Sequence, residues 1–214
     1  MTTRILIADD HAIVREGLRR ILAADPAFVV TGEASDANGV IDAVRAGGFE
    51  VLLLDLSMPG RSGVDLVKRV KEERPGLRVL VLSMHAEQQY AVRAIRAGAS
   101  GYLTKDTASA ALSEAIRKIA GGGLFITPAV AEALARGLQS AEEDLSHKRL
   151  TDREFEIFML LAGGESVTRI AERLSLSVKT ASTHKTNILE KMKLGSIAEL
   201  VRYALEHNLL DSNA

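Results

Sequence analysis

A chain of 214 residues has room for one large domain or two ordinary ones, since domains cluster near about 100 to 150 residues. Its 47% hydrophobic residues and formal charge of -1 exclude a disordered chain and a protein that coats nucleic acid by charge alone. Cysteine is absent, which excludes a disulfide framework, a thiolate metal site and a thiol nucleophile.

From Thr3 to about Gly122 short apolar runs alternate with amphipathic stretches, the pattern of repeated βα units and a mostly parallel sheet. Strands are expected at Ile5 to Ala8, Val29 to Thr31, Val51 to Leu54, Val79 to Leu82 and Gly101 to Leu103, each too short and evenly apolar to be a helix. The first helix between them would bury Ile13, Gly17, Leu18, Ile21 and Leu22 on one face. Val64, Val67, Val70 and Lys71 step round the third before Pro75 stops it. The fold class is therefore α/β, a doubly wound five-stranded parallel sheet of flavodoxin-like order 2-1-3-4-5.

The run Gly121-Gly122-Gly123 ends this pattern and closes a first domain, residues 1–122. Residues 123–146 read as a linker with one helical piece, Pro128 to Leu138, opened by its proline; Gln139 to Lys148 is polar, acidic and aperiodic. Residues 147–214 then form a small all-α domain. Thr151 and Glu154 make a capping box for Asp152 to Ala162, which Gly163-Gly164 closes. Ser166 can cap Val167 to Leu174, Ser177 can cap Val178 to Met192, and Ser196 can cap Ile197 to His207.

In an open α/β sheet, ligands sit outside the carboxyl ends of the strands. Here those ends carry Asp9-Asp10, Asp55, Ser83 and Lys105. Strands one and three are neighbours in the expected order, which brings three carboxylates together, a costly arrangement unless a cation or proton relieves it. Mg2+ suits the set, because it binds oxygen, keeps waters and accepts phosphate oxygens. With it in place, Asp55 can attack phosphorus while the ion, the Lys105 ammonium and the Ser83 hydroxyl hold the equatorial oxygens. Pro59, Gly60 and Gly63 bend the following loop and let backbone approach a phosphate.

Ile5-Leu6-Ile7-Ala8-Asp9-Asp10-His11, Leu53-Leu54-Asp55-Leu56-Ser57-Met58-Pro59-Gly60 and Gly101-Tyr102-Leu103-Thr104-Lys105-Asp106 resemble the receiver domains of two-component response regulators over about 120 residues. The resemblance implies that Asp55 takes a phosphoryl group from a sensor histidine kinase. It also implies that Asp10, Asp55 and the Ser57 backbone carbonyl bind Mg2+, with Asp9 supporting the ion through water. By the same resemblance, Lys105 and Ser83 contact phosphoryl oxygens, and Tyr102 changes rotamer when Ser83 is drawn in.

Val167 to Leu174 and Val178 to Met192, joined by Ser175-Leu176-Ser177, have the plan of a helix-turn-helix. Ile170, Ala171 and Leu174 would give the first helix its buried face. On the second helix Val178, Ala181, Ile188, Leu189 and Met192 are expected to point inward and Lys179, Ser182, Thr183 and Thr186 outward. From Ser177 to Lys193 four lysines face one glutamate, a local basic patch in a nearly neutral chain. His184 is expected to pack where the helices cross.

Leu150-Thr151-Asp152-Arg153-Glu154, Ile170-Ala171, Ser177-Val178-Lys179-Thr180 and His184-Lys185 resemble the LuxR-type domain of NarL/FixJ-class regulators over roughly sixty residues. The resemblance implies that Ser182, Thr183 and Thr186 face base edges of double-stranded DNA and that Lys179, Thr180, Lys185 and Asn187 lie near phosphates. It also implies that the last helix pairs two domains through Ile197, Leu200, Val201 and Ala204. The chain departs from the pattern at Ser166-Val167-Thr168-Arg169-Ile170-Ala171, where the family often has Ser-Asn-Lys-Glu-Ile-Ala, and at Ala181, where valine is usual.

The implied protein is a cytoplasmic DNA-binding regulator rather than an enzyme, a homodimer on promoter half-sites once phosphorylated, with RNA polymerase as a further partner. No signal peptide is evident, and no apolar run approaches the roughly 20 residues of a membrane helix, so no membrane partner is expected. Two rivals stay open. A Mg2+-dependent phosphohydrolase would use similar residues, although no second catalytic acid pairs with Asp55 in one short motif. A regulator that ignores phosphate would bind DNA by the same helices. The five histidines, at 11, 85, 147, 184 and 207, lack ligand spacing, so no zinc site is expected, and no glycine-rich loop suggests a nucleotide.

Overall fold

The computed structural model describes residues 2–58, 63–83, 88–139, 146–207 and 209–210. Pro59, Gly60, His85 and most of the acidic stretch after Gln139, on which expectations above fall, lie outside them. The chain divides into two compact units, Met1–Ala86 with Tyr90–Ala131 and Glu87–Gln89 with Glu132–Ala214.

The first unit alternates β1 Thr3–Ala8, α1 Ala12–Ala23, β2 Phe28–Ala34, α2 Ala37–Ala46, β3 Val51–Asp55, α3 Gly63–Glu73, β4 Arg78–Ser83, α4 Gln88–Arg96, β5 Gly101–Thr104 and α5 Lys105–Ala120. Its five strands are all parallel in the order β2-β1-β3-β4-β5, as expected. Successive strand residues face opposite sides. Ile5, Ile7, Val51, Leu53, Leu80 and Leu82 thus share a core with Leu18 and Leu22 of α1 and Leu112, Ile116 and Ile119 of α5. Leu6, Leu52, Leu54, Val79 and Val81 line the other face, and all are at most 2% exposed. Removing each such side chain from water contributes about 1.5 to 3 kcal/mol, which is why the apolar runs tolerate so little polar interruption.

Two details differ from expectation. Ile13 is 87% exposed, while Val14 and Ile21 pack partly buried on the core beside Leu18 and Leu22. At about 100° per residue, Ile13 stands about 140° round the helix from Leu18, outside the buried stripe. Beyond the glycine run, Phe125 pairs with Gly101: its N–H donates to Ser100 O, and its carbonyl accepts from Tyr102 N, both at 3.0 Å. The stretch that reads as the start of a linker therefore adds backbone pairing to the outer edge of β5. Its helix, α6, spans Pro128–Gln139.

The second unit contains a 3-10 turn at Ser146–Arg149, α7 Asp152–Ala162, α8 Val167–Arg173, α9 Val178–Met192 and α10 Ile197–Glu206. Thr151 and Glu154 form the expected capping box, and Ser166, Ser177 and Ser196 each accept a backbone N–H at their helix starts. The core is built on α7, whose Phe155 and Phe158 are 0% exposed, with Ile170, Ala181, Ile188, Leu200 and Ala204 buried around them. Ser175, in the turn between α8 and α9, takes a left-handed conformation with φ of 52°. A residue with a Cβ pays about 1 to 2 kcal/mol there.

Candidate functional site

Because every strand of the sheet is parallel, Asp9 after β1, Asp55 ending β3, Ser83 ending β4 and Lys105 after β5 fall on one edge. Asp9, Asp55 and Ser83 are buried. Each of the two aspartates folds its own loop first. Asp9 Oδ1 accepts from His11 N at 2.9 Å, and Asp55 Oδ1 accepts from Ser57 N at 3.1 Å, the short side-chain-to-backbone bonds that aspartate forms two residues on. The remaining oxygens converge on one lysine. Lys105 Nζ donates to Asp9 Oδ2 at 2.7 Å and to Asp55 Oδ2 at 2.8 Å.

Burial lifts the Asp55 pKa above the ordinary aspartate value, against the bonds from Lys105 and Ser57 that pull it down. Burial also opposes the Lys105 charge, but the bonds to Asp55 and Asp9 outweigh it and leave the lysine pKa raised. The ammonium therefore stays charged, and the carboxylates carry more negative charge than it neutralises. Ligand atoms of Asp9, Asp10, His11 and Asp55 all lie within 4.8 Å of one another. Asp10 Oδ1 is buried with no hydrogen-bond partner. Three carboxylates against one ammonium leave two negative charges, and with an orphaned oxygen among them the set fits a hard divalent cation.

Ser57 is half-buried, and its peptide adjoins the Asp55 carboxylate through the N–H already described. Tyr102 is buried on β5, beside Val81 of β4, two residues before the strand position that faces Ser83. Gly63 opens α3 with no space for a Cβ, which would stand 2.5 Å from Leu56 Cα. Close packing on Leu56, next to Asp55, by itself requires a glycine there.

In the second unit α9 exposes Lys179, Thr180, Thr183 and Thr186, while Ser182, Lys185 and Asn187 are half-buried. Thr183 Oγ1 donates to Lys179 O at 3.0 Å and Thr186 Oγ1 to Ser182 O at 3.2 Å, so both hydroxyls are tied to the helix and offer lone pairs outward. Thr180 is engaged at the cap, with its N–H on Ser177 Oγ and its hydroxyl 2.8 Å from the same atom. Val178, expected inside, is 49% exposed, because it is the first residue of α9 and burial begins only at Ala181. On α10, Leu200 and Ala204 are 0% exposed, since they pack in the unit's own core, where α10 meets α7, and so present nothing to a second copy. Ile197 and Val201 remain half-buried, and Leu205 is 60% exposed.

Several residues escaped the sequence reading. Lys191 belongs to the apparent basic patch, yet its ammonium bonds both oxygens of buried Glu154 at 2.6 and 2.7 Å. Burial opposes the Glu154 charge, but Lys191 and Thr151 outweigh it and hold the carboxyl below the ordinary glutamate range. Arg153 donates to Leu174 O at 2.9 Å, tying α7 to the end of α8. His184, named above for packing where the helices cross, is half-buried with its Nδ1 unpartnered among the described residues, and burial, followed by the Arg153 charge, lowers its pKa. His11, which has no ligand spacing to another histidine, stands beside Asp9 and Asp10, and its place directly after them in the sequence is the signal for it.

Residues 5–117 match the family described as response regulator receiver domain, and residues 148–204 the family described as bacterial regulatory proteins, luxR family. The chain is 31% identical to response regulator GacA of Pseudomonas aeruginosa over 210 residues, covering 98% of each chain. It is 36% identical to oxygen regulatory protein NreC of Staphylococcus carnosus over 215 residues, covering 97% of this chain and 99% of NreC. Among solved structures it is similar to RcsB of Salmonella enterica serovar Typhimurium bound to promoter rprA in the presence of phosphomimetic BeF3-. The TM-score there is 0.65 at 29% identity, covering 95% of this chain and 98% of that one.

Proposed function

We propose, from the premise that this chain belongs to the NarL/FixJ-class two-component response regulators with a LuxR-type DNA-binding domain, that it is a cytoplasmic transcription regulator switched by phosphorylation of Asp55. The observation that carries this reading is the meeting of Asp9, Asp10, Asp55 and Lys105 at one sheet edge. In the transfer, an Asp55 carboxylate oxygen forms a bond to the phosphorus of a kinase phosphohistidine as the P–N bond breaks and the imidazole leaves. Lys105 leaves Asp55 Oδ2 for a phosphoryl oxygen, and the Ser83 hydroxyl donates to another. Asp10, Asp55 and the Ser57 carbonyl would hold Mg2+, with Asp9 supporting through water, and the bound ion would supply charge neutralisation for the transferred group.

Drawing Ser83 inward vacates the space into which buried Tyr102 turns, and the changed face biases the helical unit toward pairing. Two copies then set their α9 helices in successive major-groove half-sites, about one DNA turn apart. Ser182, Thr183 and Thr186 meet base edges, and Lys179, Thr180, Lys185 and Asn187 lie by phosphates. Ile197 and Val201 of α10 remain available to the partner copy. RcsB, similar along almost its whole length, was solved on promoter DNA with a phosphomimetic, which supports the same pairing of inputs here. RNA polymerase is the further partner such a regulator would address.

A small-molecule phosphodonor with Mg2+ should add one phosphoryl mass to the wild type and none to Asp55→Ala, and should tighten promoter binding in a gel-shift series of the wild type only. Full labelling of the variant, or equal shifts with and without donor, overturns the assignment.

A further inference from the structure

His11 has no role in the function above, yet its ring stands in the acidic pocket. Its backbone N–H is fixed by Asp9 Oδ1 at 2.9 Å, and its side chain makes no capping bond at the start of α1. Nδ1 lies 2.8 Å from Asp10 Oδ1 and 3.5 Å from Asp9 Oδ1. The first approach is not aligned as a hydrogen bond, for Asp10 Oδ1 is buried and lacks any such partner. Two donors that share an octahedral ion at about 2.1 Å stand about 3 Å apart when adjacent, which is the spacing of this nitrogen and this oxygen. The ring is 67% exposed, so it can turn toward an ion without breaking a packed core.

An imidazole nitrogen is a poor ligand for Mg2+ and a good one for Mn2+, Co2+, Ni2+ and Zn2+. We infer that His11, through Nδ1, is an additional metal ligand that shifts the pocket of Asp9, Asp10 and Asp55 toward nitrogen-accepting divalent ions, so that the receiver takes such an ion in preference to Mg2+ when one is present. This rests on the carboxylate pocket proposed above. Its consequence is regulatory: the ion held beside Asp55, and with it the response to a phosphodonor, would depend on the supply of borderline transition metals as well as on the kinase.

The test uses tag-free full-length protein, with Co2+ and Mg2+ titrated in competition and followed by the visible ligand-field absorption of Co2+. Wild type should prefer Co2+, and the ratio of Co2+ to Mg2+ affinity should fall about tenfold or more in His11→Gln, the range found when one supporting group of a metal site is lost. In ring-labelled wild type, diamagnetic Zn2+ should move the His11 Nδ1 resonance far more than that of Nε2, the pattern of direct ligation, which an ion held by the carboxylates alone would not produce. Asp10→Asn should weaken both ions together. An unchanged ratio in His11→Gln, or a His11 Nδ1 resonance that Zn2+ moves no more than Nε2, overturns the inference while Mg2+ binding in the wild type leaves the pocket standing. If wild type binds neither ion, the pocket itself falls and this inference with it.

Discussion

Glu154 offers the sharpest test of how the helical unit is held together. It is 4% exposed, and its carboxylate accepts from Lys191 Nζ twice, at 2.6 and 2.7 Å, from Thr151 N at 2.9 Å and from Thr151 Oγ1 at 3.0 Å. One group thus caps α7 and clamps it to the end of α9. Glu154→Gln keeps the shape and one acceptor for Thr151 but removes the charge and turns an amide donor toward the ammonium. Charge-assisted hydrogen bonds contribute about 1.5 to 3 kcal/mol net. Lys191 is 41% exposed and regains water when released, which places the loss near the lower end, at about 1.5 to 2 kcal/mol. Native-state hydrogen exchange on the full-length protein reads this on the α7 and α9 amides, separately from the first unit. The folded Glu154 pKa is lowered, so its contribution is present above the ordinary glutamate range and disappears as pH falls through the folded value. A loss below about 0.5 kcal/mol at neutral pH, or one that persists undiminished in acid, would refute the clamp. Lys191→Met should lose much of the same energy, and the double variant should show coupling rather than a sum.

Other outcomes follow from the same geometry. Gly63→Ala forces a Cβ to 2.5 Å from Leu56 Cα, so overpacking against backbone should destabilise the first unit by about 3 kcal/mol in urea unfolding; a loss under 1 kcal/mol would mean that the loop yields easily. Lys185→Met should weaken binding on every DNA sequence and flatten the plot of log affinity against log salt by about 0.9, whereas Thr183→Ala should alter sequence preference; the reverse pattern counts against the docking of α9. Burial raises the Asp55 pKa, so the folded chain holds a proton that the unfolded chain releases. In EDTA, wild type should therefore lose stability relative to Asp55→Asn as pH rises from the ordinary aspartate range through the raised value, and parallel pH curves for the two proteins would contradict this.

Much of this protein is legible in one dimension because its determinants are local. Apolar runs of strand length, the serine and threonine caps, the capping box at Thr151 and Glu154, and the acids that follow β1 and end β3 depend on neighbours a few residues away. Once the strands are parallel and ordered 2-1-3-4-5, those acids have no choice but to share an edge. What folding alone decided involves residues far apart in sequence that compete for the same space or charge. The wheel position of Ile13 depends on which stripe of α1 the sheet covers. Phe125 completes the β5 edge because backbone groups there need partners, a demand that no side-chain pattern records. Lys191 looks like a free cation until Glu154, 37 residues earlier, is folded against it. Leu200 and Ala204 have the spacing of an interface and of a core alike, and only the presence of α7 beside them assigns them to the core. Sequence determines what each segment wants to bury or bond; the partner that satisfies it is chosen by the packed chain.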